Sequence, residues 1–441
     1  MSGIDFDSRI SYEPYHIYYD LNILNNDTTG TKQPPFLQFT EIRNSPYINN
    51  PSDYFCSVVR FSVETPTLPL IIPQPKVGAA NVNELVYTVS MSHPTLLPVP
   101  ITTSVFYVPQ SSATLAPPPT SITSASDIIN EYYYTYTYKP FIDMINTALR
   151  TTWIALIAAL PAGTLNPYNN NDFPYLYWDE DANIASWVVL ANVFQTPTAN
   201  NPAPTLLPAV AALLPINNPI SIFFNTELYN LFSSFSAFQN GYGGATPLGL
   251  NWRMNLPDTI TVNPYLATIN EPTAFPPLVS SMATFPISAG FAPSVLPVQP
   301  TNYALLRVKQ EYPTTPLWNP VQAIVFTTSL LPIASSIVSA PVLFGQGQAF
   351  TNAGNNSGIA NILTDLEVPT EKGWQTKPLI SYVPTAEYRL FDLNGNAPLS
   401  AIEITVNWKD TFGRLNQFRL GAGSNASIKL MFRRKDFQGV V

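Results

Sequence analysis

The chain has 441 residues, of which 46% are apolar and only 11% charged, against roughly 25% charged for ordinary soluble proteins. That shortage argues against a solitary protein dispersed by its own charge, and the 7 Trp, 23 Tyr and 25 Phe exclude disorder for most of the chain. A net charge of −8 and a pI of about 4.8 exclude wholesale binding to a nucleic-acid backbone.

Burial against other subunits removes the need for surface charge, because desolvating charges is costly. Proline is the second anomaly: 45 residues, often between apolar runs, as at Pro66, Pro69, Pro73 and Pro75. Proline is kept out of helix interiors and central strands, so the chain reads as short β segments joined by stiff loops. Cys56 is the single cysteine, which excludes an internal disulfide and fits a reducing compartment. The first ten residues carry Asp5, Asp7 and Arg9 and show no apolar signal-peptide core.

In chain order, strand periodicity appears first at 16–24, where Ile17, Tyr19, Leu21 and Ile23 alternate with polar or aromatic neighbours. It returns at 57–64 through Val59, Phe61 and Val63, and at 85–91 through Leu85, Tyr87, Val89 and Met91. A proline-rich stretch at 94–120 reads as loop. Pro140 suits a first helical position, and the apolar residues after it recur at three- and four-residue spacing until Pro161, which predicts a helix near 140–160. The run Ile142–Leu160 contains Asp143, Asn146 and Arg150 and is not read as a membrane span.

A strand is expected at Ile184–Leu190, then a loop at about 195–220. A second helix is expected at 226–239, capped by Asn225 and striped by Leu228, Leu231, Phe232, Phe235 and Phe238. Strands follow at 303–312, 321–331 and 387–393. The end is the clearest segment: Ile402, Ile404, Val406 and Trp408 alternate with polar residues, Asp410–Gly413 turns, 415–420 is a short strand, and Gly421–Asn425 turns again. A last strand runs through Ala426, Ile428, Leu430 and Phe432. Strands joined by such turns are expected to be antiparallel neighbours.

The fold class expected is mainly β: an antiparallel sandwich formed by both chain ends, with an inserted middle domain containing two helices. The boundaries expected are 1–120, 121–300 and 301–441.

Five segments resemble the penton and minor capsid proteins of eukaryotic double-stranded DNA viruses of the polinton-like, adintovirus and virophage kind. They are DYFCSVVRFSVETPTLPLIIP (53–73), FPYLYWDEDANIASWV (173–188), IFFNTELYNLFSSF (222–235), WNPVQAIVFTTSLLPI (318–333) and AIEITVNWKDTFGRLNQFRLGAGSNASIKLMFRRK (401–435). The resemblance implies a jelly roll, assembly as a homopentamer at the vertices of an icosahedral capsid, contact with the major and other minor capsid proteins, and location in a virion made inside the host cell. It brings no catalytic residues and no cofactor.

Motifs that could carry chemistry have a plainer explanation in each case. Gly421, Gly423 and Ala426 fit G-x-G-x-x-A, but a strand pattern follows where a dinucleotide site needs a helix. Gly241, Gly243 and Gly244 lack the Lys of a phosphate loop. His16 and His93 are too few for a zinc site. Asp179, Glu180 and Asp181, with Asp172 nearby, do not have calcium-loop spacing. The one dense basic run, Arg433, Arg434 and Lys435, is the candidate contact for packaged DNA or an acidic neighbour. The alternative to a capsid subunit is a sugar- or receptor-binding β-sandwich module using aromatics such as Tyr132–Tyr138; an enzyme stands third. Residues 190–222 carry no charge at all; this inserted region and the proline-rich loop before it are where neighbours are expected to touch.

Overall fold

The structure, a computed structural model, describes residues 14–27, 34–93, 97–110, 117–123, 130–160, 173–194, 220–240, 251–256, 267–268, 304–338, 358–368, 379–383, 389–411 and 413–435. The elements in chain order begin with strands β1 (His16–Leu24), β2 (Gln38–Ile42), β3 (Tyr54–Glu64), β4 (Glu84–His93) and β5 (Leu97–Phe106), followed by helix α1 (Tyr138–Ala159). Then come β6 (Tyr175–Asp179), β7 (Ile184–Leu190), the short helix α2 (Ala191–Phe194), β8 (Ser221–Asn225), helix α3 (Thr226–Leu231), β9 (Ala237–Asn240), β10 (Asn251–Met254), β11 (Ala267–Thr268) and β12 (Ala304–Lys309). The last third holds β13 (Val321–Thr327), β14 (Ser336–Val338), β15 (Gly358–Ala360), β16 (Ile362–Glu367), β17 (Leu379–Tyr382), β18 (Phe391–Asp392), β19 (Ala401–Asp410), β20 (Leu415–Gln417) and β21 (Asn425–Arg434). The fold is mainly antiparallel β.

The chain divides into an end unit, residues 1–68 with 320–441, and a middle unit, residues 69–319. In the end unit one sheet runs β1-β21-β3-β17 with β18 also on β3; the other runs β16-β13-β19-β2 with β20 also on β19. Among the eight principal strands the pairing is first with last (β1·β21), second with seventh (β2·β19), third with sixth (β3·β17) and fourth with fifth (β13·β16). Two further pairings, β21·β3 and β19·β13, join these ladders into two sheets.

The alternation of the sequence explains which face is inside. In β21, Ala426, Ile428, Leu430 and Phe432 are buried; in β19, Ile402, Ile404, Val406 and Trp408 are buried. The sheets meet through Phe61 on β3 and Phe326 on β13, edge to face at 4.7 Å. Such a pair adds about 0.5–1.5 kcal/mol beyond the area it buries.

In the middle unit, one sheet runs β5-β4-β8-β10-β9 and another β11-β12-β7-β6. Helix α1 packs on β4, β5 and β6. Its buried stripe, including Phe141, Ile145, Leu149, Trp153 and Leu156, has the three- and four-residue spacing expected. The helix starts two residues earlier than Pro140, which therefore sits within the first turn, where a missing N–H leaves no bond unmade. Asn146 fixes α1 to the sheet edge: its side chain donates to the Leu176 carbonyl at 2.9 Å and accepts from the Leu176 N–H at 2.7 Å.

Four expectations change. First, 97–106 is a strand and not loop, despite Pro98 and Pro100. Among the described residues β5 is the edge of its sheet and bonds only to β4, so N–H groups on its outer side are not needed. Second, the helix at 226–239 stops at Leu231. Asn225 caps it as expected, accepting from the Leu228 N–H at 3.3 Å. At its other end the Leu231 carbonyl is taken by Trp318 Nε1 and Thr314 Oγ1, both at 2.6 Å, and three serines follow before β9. Phe238 lies on β9, exposed. Third, the Gly421–Asn425 turn does not make a hairpin. β20 pairs with β19 and β21 with β1 and β3, so this turn carries the chain from one sheet to the other. Asn25 pins it, donating from its side chain to the Leu420 carbonyl at 2.8 Å and accepting from the Gly423 N–H at 2.8 Å. Fourth, β5 pairs with β4 and β4 pairs with β8, all in the middle unit, so the first boundary falls at 68–69 and not at 120; the third part correspondingly begins at Pro320.

Trp408 is buried on the core-facing side of β19, opposite Ile324. Trp408→Ala should destabilise the protein by about 3–5 kcal/mol, read as a lower denaturation midpoint; an unchanged midpoint would mean that this face is not core.

Candidate functional site

The outer face of the first end-unit sheet is polar and largely satisfied by its own side chains. Registers place Asp20, Lys429 and Arg60 in one row across β1, β21 and β3. Arg60 reaches over β21, with Nη2 at 2.8 Å from both carboxylate oxygens of Asp20. Lys429 Nζ lies 5.4 Å from the centroid of the Tyr18 ring, which stacks on His16. Ser62 and Ser427 share a hydrogen bond at 3.0 Å, and Asn425 donates to Glu64 at 2.7 Å. The Asp20–Arg60 pair is about half exposed, so it adds at most about 1 kcal/mol.

Exposed apolar side chains gather at the sheet margins instead. They include Tyr18 and Leu24 on β1, Leu379 on β17 with Val383 just beyond it, and Ile42 on β2, which is 75% exposed. Among the described residues all three strands are sheet edges. Apolar side chains on an open strand edge are where a second chain gains most by covering them.

The basic C-terminal residues are partly occupied within the chain. Arg433 stands on β21 opposite His16 and Phe55. The Arg434 guanidinium lies 5.6 Å from the Tyr15 ring centroid, and the Arg434 backbone N–H donates to the Tyr15 carbonyl at 2.9 Å. Lys435 Nζ pairs with Asp392 at 2.9 Å and lies over Phe55. Arg433 and Arg434, as neighbours on a strand, project to opposite faces.

The other sequence candidates resolve as structure. Tyr132, Tyr133, Tyr134 and Tyr138 are buried, contrary to the exposed aromatic platform that a sugar-binding module needs. Tyr107, Tyr132 and Tyr133 make a mutual edge-to-face cluster at 5.0–5.4 Å. Trp318 is ringed by Tyr138, Phe141, Trp178 and Phe232 at 5.0–5.9 Å. Their burial follows from the Ile71–Thr135 bridge, a long-range contact that no local pattern carries. His93 is buried and its pKa is held below the usual range by desolvation. Asp179 caps the β6–β7 turn, accepting from the Ala182 N–H at 3.1 Å. Glu180 and Asp181 are exposed there, and no group of three metal-binding side chains occurs among the described residues. Burial pushes the Cys56 thiol up to about 12. Among the described residues no helix is long and apolar enough to cross a membrane. Asp172, Gly241, Gly243, Gly244 and the uncharged loop at 195–219 lie outside the described residues.

Charge divides unevenly between the units. The end unit holds 14 basic and 16 acidic residues, whereas the longer middle unit holds 6 and 12. The shortage seen in the whole chain therefore belongs mainly to residues 69–319.

A family model described as Sputnik minor capsid protein V18/19 matches residues 17–434. The chain belongs to this family. Two proteins of Sputnik virophage are similar in sequence. "Uncharacterized protein V18" is 34% identical over 159 residues, 35% of this chain and 92% of that protein. "Structural protein V19" is 25% identical over 223 residues, 50% of this chain and 84% of that protein. A chain in the cryo-EM structure of the Sputnik virophage matches with a TM-score of 0.64 and 26% identity, covering 96% of this chain and 99% of that one. The mavirus penton protein shares the fold, with a TM-score of 0.54 and 13% identity over 95% and 99% of the two chains. Members of the V18/19 family are minor capsid proteins; this chain is accordingly a structural protein of the virion, and not an enzyme.

One buried group in the middle unit gives a test of the core around α1. Asp143 Oδ1 is buried with no hydrogen-bond partner, and desolvation raises its pKa to about 6, opposed in part by Lys139. The folded state therefore prefers the protonated acid. Its contribution is fully present below the unfolded value of about 3.9 and is lost as pH rises through about 6. Asp143→Asn should flatten the pH dependence of stability over that interval and raise the melting temperature at neutral pH; a variant less stable than the parent at neutral pH would contradict the assignment.

Proposed function

We propose that this chain is the penton subunit: a homopentamer at the vertices of an icosahedral capsid, built on a jelly roll. The observation that carries the proposal is the pairing order of the end unit. First with last, second with seventh, third with sixth and fourth with fifth is one long antiparallel hairpin, and the joins β21·β3 and β19·β13 roll it into two facing sheets. That is the strand order of a jelly roll. Likeness to the mavirus penton protein and membership of the minor capsid protein family support the same reading.

In this reading the end unit is mainly scaffold and the middle unit, inserted between its third and fourth strands, meets neighbours. The charge distribution favours this, since surfaces that stay wet need charge and surfaces buried in an assembly do not. Partners are further copies of the chain, the major capsid protein and other minor capsid proteins. Arg433 and Arg434 are the candidate contacts for packaged DNA or an acidic neighbour; Lys435 would first have to leave Asp392. Synthesis takes place in the host cell interior, where a single buried thiol needs no oxidising compartment.

Native mass measurement of the purified chain, alone and with the major capsid protein, tests the proposal. The expected result is a closed ring of five copies with obligate interfaces on the order of 2,000 Å² or more, which then enters the shell. A monomer at every concentration that never joins a shell would overturn it.

A further inference from the structure

After β18 the chain runs Leu393-Asn394-Gly395-Asn396, the one Asn-Gly pair lying wholly within the described residues. Residues 394–398 are all exposed, between the buried Leu393 and Leu399. Gly395 has φ +90°, in the region that favours glycine, and a Cβ built there would meet nothing within 4 Å. The turn is anchored on either side of the pair. The Asn394 N–H donates to the Pro332 carbonyl at 2.6 Å, and the Gly395 carbonyl accepts from the Ser52 N–H at 3.1 Å. The Gly395 N–H itself donates to no group among the described residues.

We propose that Asn394 is a site of spontaneous deamidation. The Gly395 backbone nitrogen attacks the side-chain carbonyl carbon of Asn394 and a C–N bond forms. The side-chain amino group leaves with the proton released by the Gly395 amide, as ammonia, closing a five-membered succinimide. Water then adds to one of the two ring carbonyls and opens it, giving aspartate or isoaspartate. Nothing is oxidised or reduced, and water is the only co-reactant.

Three features make this pair reactive. The residue after the asparagine has no Cβ to obstruct the attacking nitrogen. Its N–H is not held by a hydrogen bond. The loop is open to the water that removes the proton and later opens the ring. Asn44–Ser45 supplies an internal comparison, because both residues are also exposed but the serine carries a Cβ. The product places a new carboxylate two residues from Asp392, the partner of Lys435. The isoaspartyl form also lengthens the main chain by one methylene between the Pro332 and Ser52 anchors.

The test is to hold the intact chain, and the same chain unfolded in urea, in mildly alkaline buffer and to map their peptides by mass spectrometry over time. The 394–395 peptide of the folded chain should gain the mass of an amide-to-acid conversion at a rate of the same order as in urea. It should resolve into two products of equal mass, one of them a substrate for isoaspartyl methyltransferase. The Asn44 peptide should stay unchanged over the same period. An intact Asn394 in the folded chain while the unfolded chain converts would overturn the proposal, as would conversion at Asn44 as fast as at Asn394.

Discussion

Strand β21 is held between β1 and β3, so the last strand among the described residues is bonded on both sides to strands from the chain's first 64 residues. Everything else in the end unit depends on that placement. Without β21 the first sheet loses its centre: among the described residues β1 has no other partner in it, and β3 keeps only β17 and β18. The core facing Phe326 would open. The bond from Asn25 to Leu420 spans 395 positions of sequence, yet it fixes where the chain crosses between the sheets. Such pairing makes folding slow, because long loops must close before the contacts repay their entropy. It also ensures that an insertion of 251 residues between two core strands leaves the sandwich closed.

The same arrangement separates two kinds of surface. The outer face around Asp20, Arg60, Ser62, Ser427 and Lys429 is polar, and its groups largely satisfy one another. A face of this kind can remain wet. Several exposed apolar side chains stand on edge strands, and the charge-poor sequence is concentrated in the middle unit. A subunit that lives inside a shell needs both: a scaffold stable by itself, and surfaces whose burial is deferred until neighbours arrive.

Much of this was legible in the sequence where one strand face is buried and the other is not. The alternation in 401–434 marks both strands and their inward faces because β19 and β21 are central, with partners on both sides. Legibility failed where a distant contact decides. Pro98 and Pro100 read as loop because proline usually breaks strands, and only the sheet order reveals that β5 is an edge. The stripe Leu228 to Phe238 reads as a long helix, but Trp318 and Thr314 capture its last carbonyl from more than eighty residues away. The tyrosines of 132–138 look available for binding until the bridge from Ile71 to Thr135 draws them into the core. Partner choice among strands has no local signal, so the rolled-hairpin order could be expected from resemblance and not read from periodicity.

The most direct measurement of the central claim is native-state hydrogen exchange on the full chain and on a chain ending at Gly421. If β21 is the strand that unites the first sheet, its removal should abolish protection in β1 and strip it from β3. Undiminished protection of His16–Leu24 and Tyr54–Glu64 in the shortened chain would contradict the account.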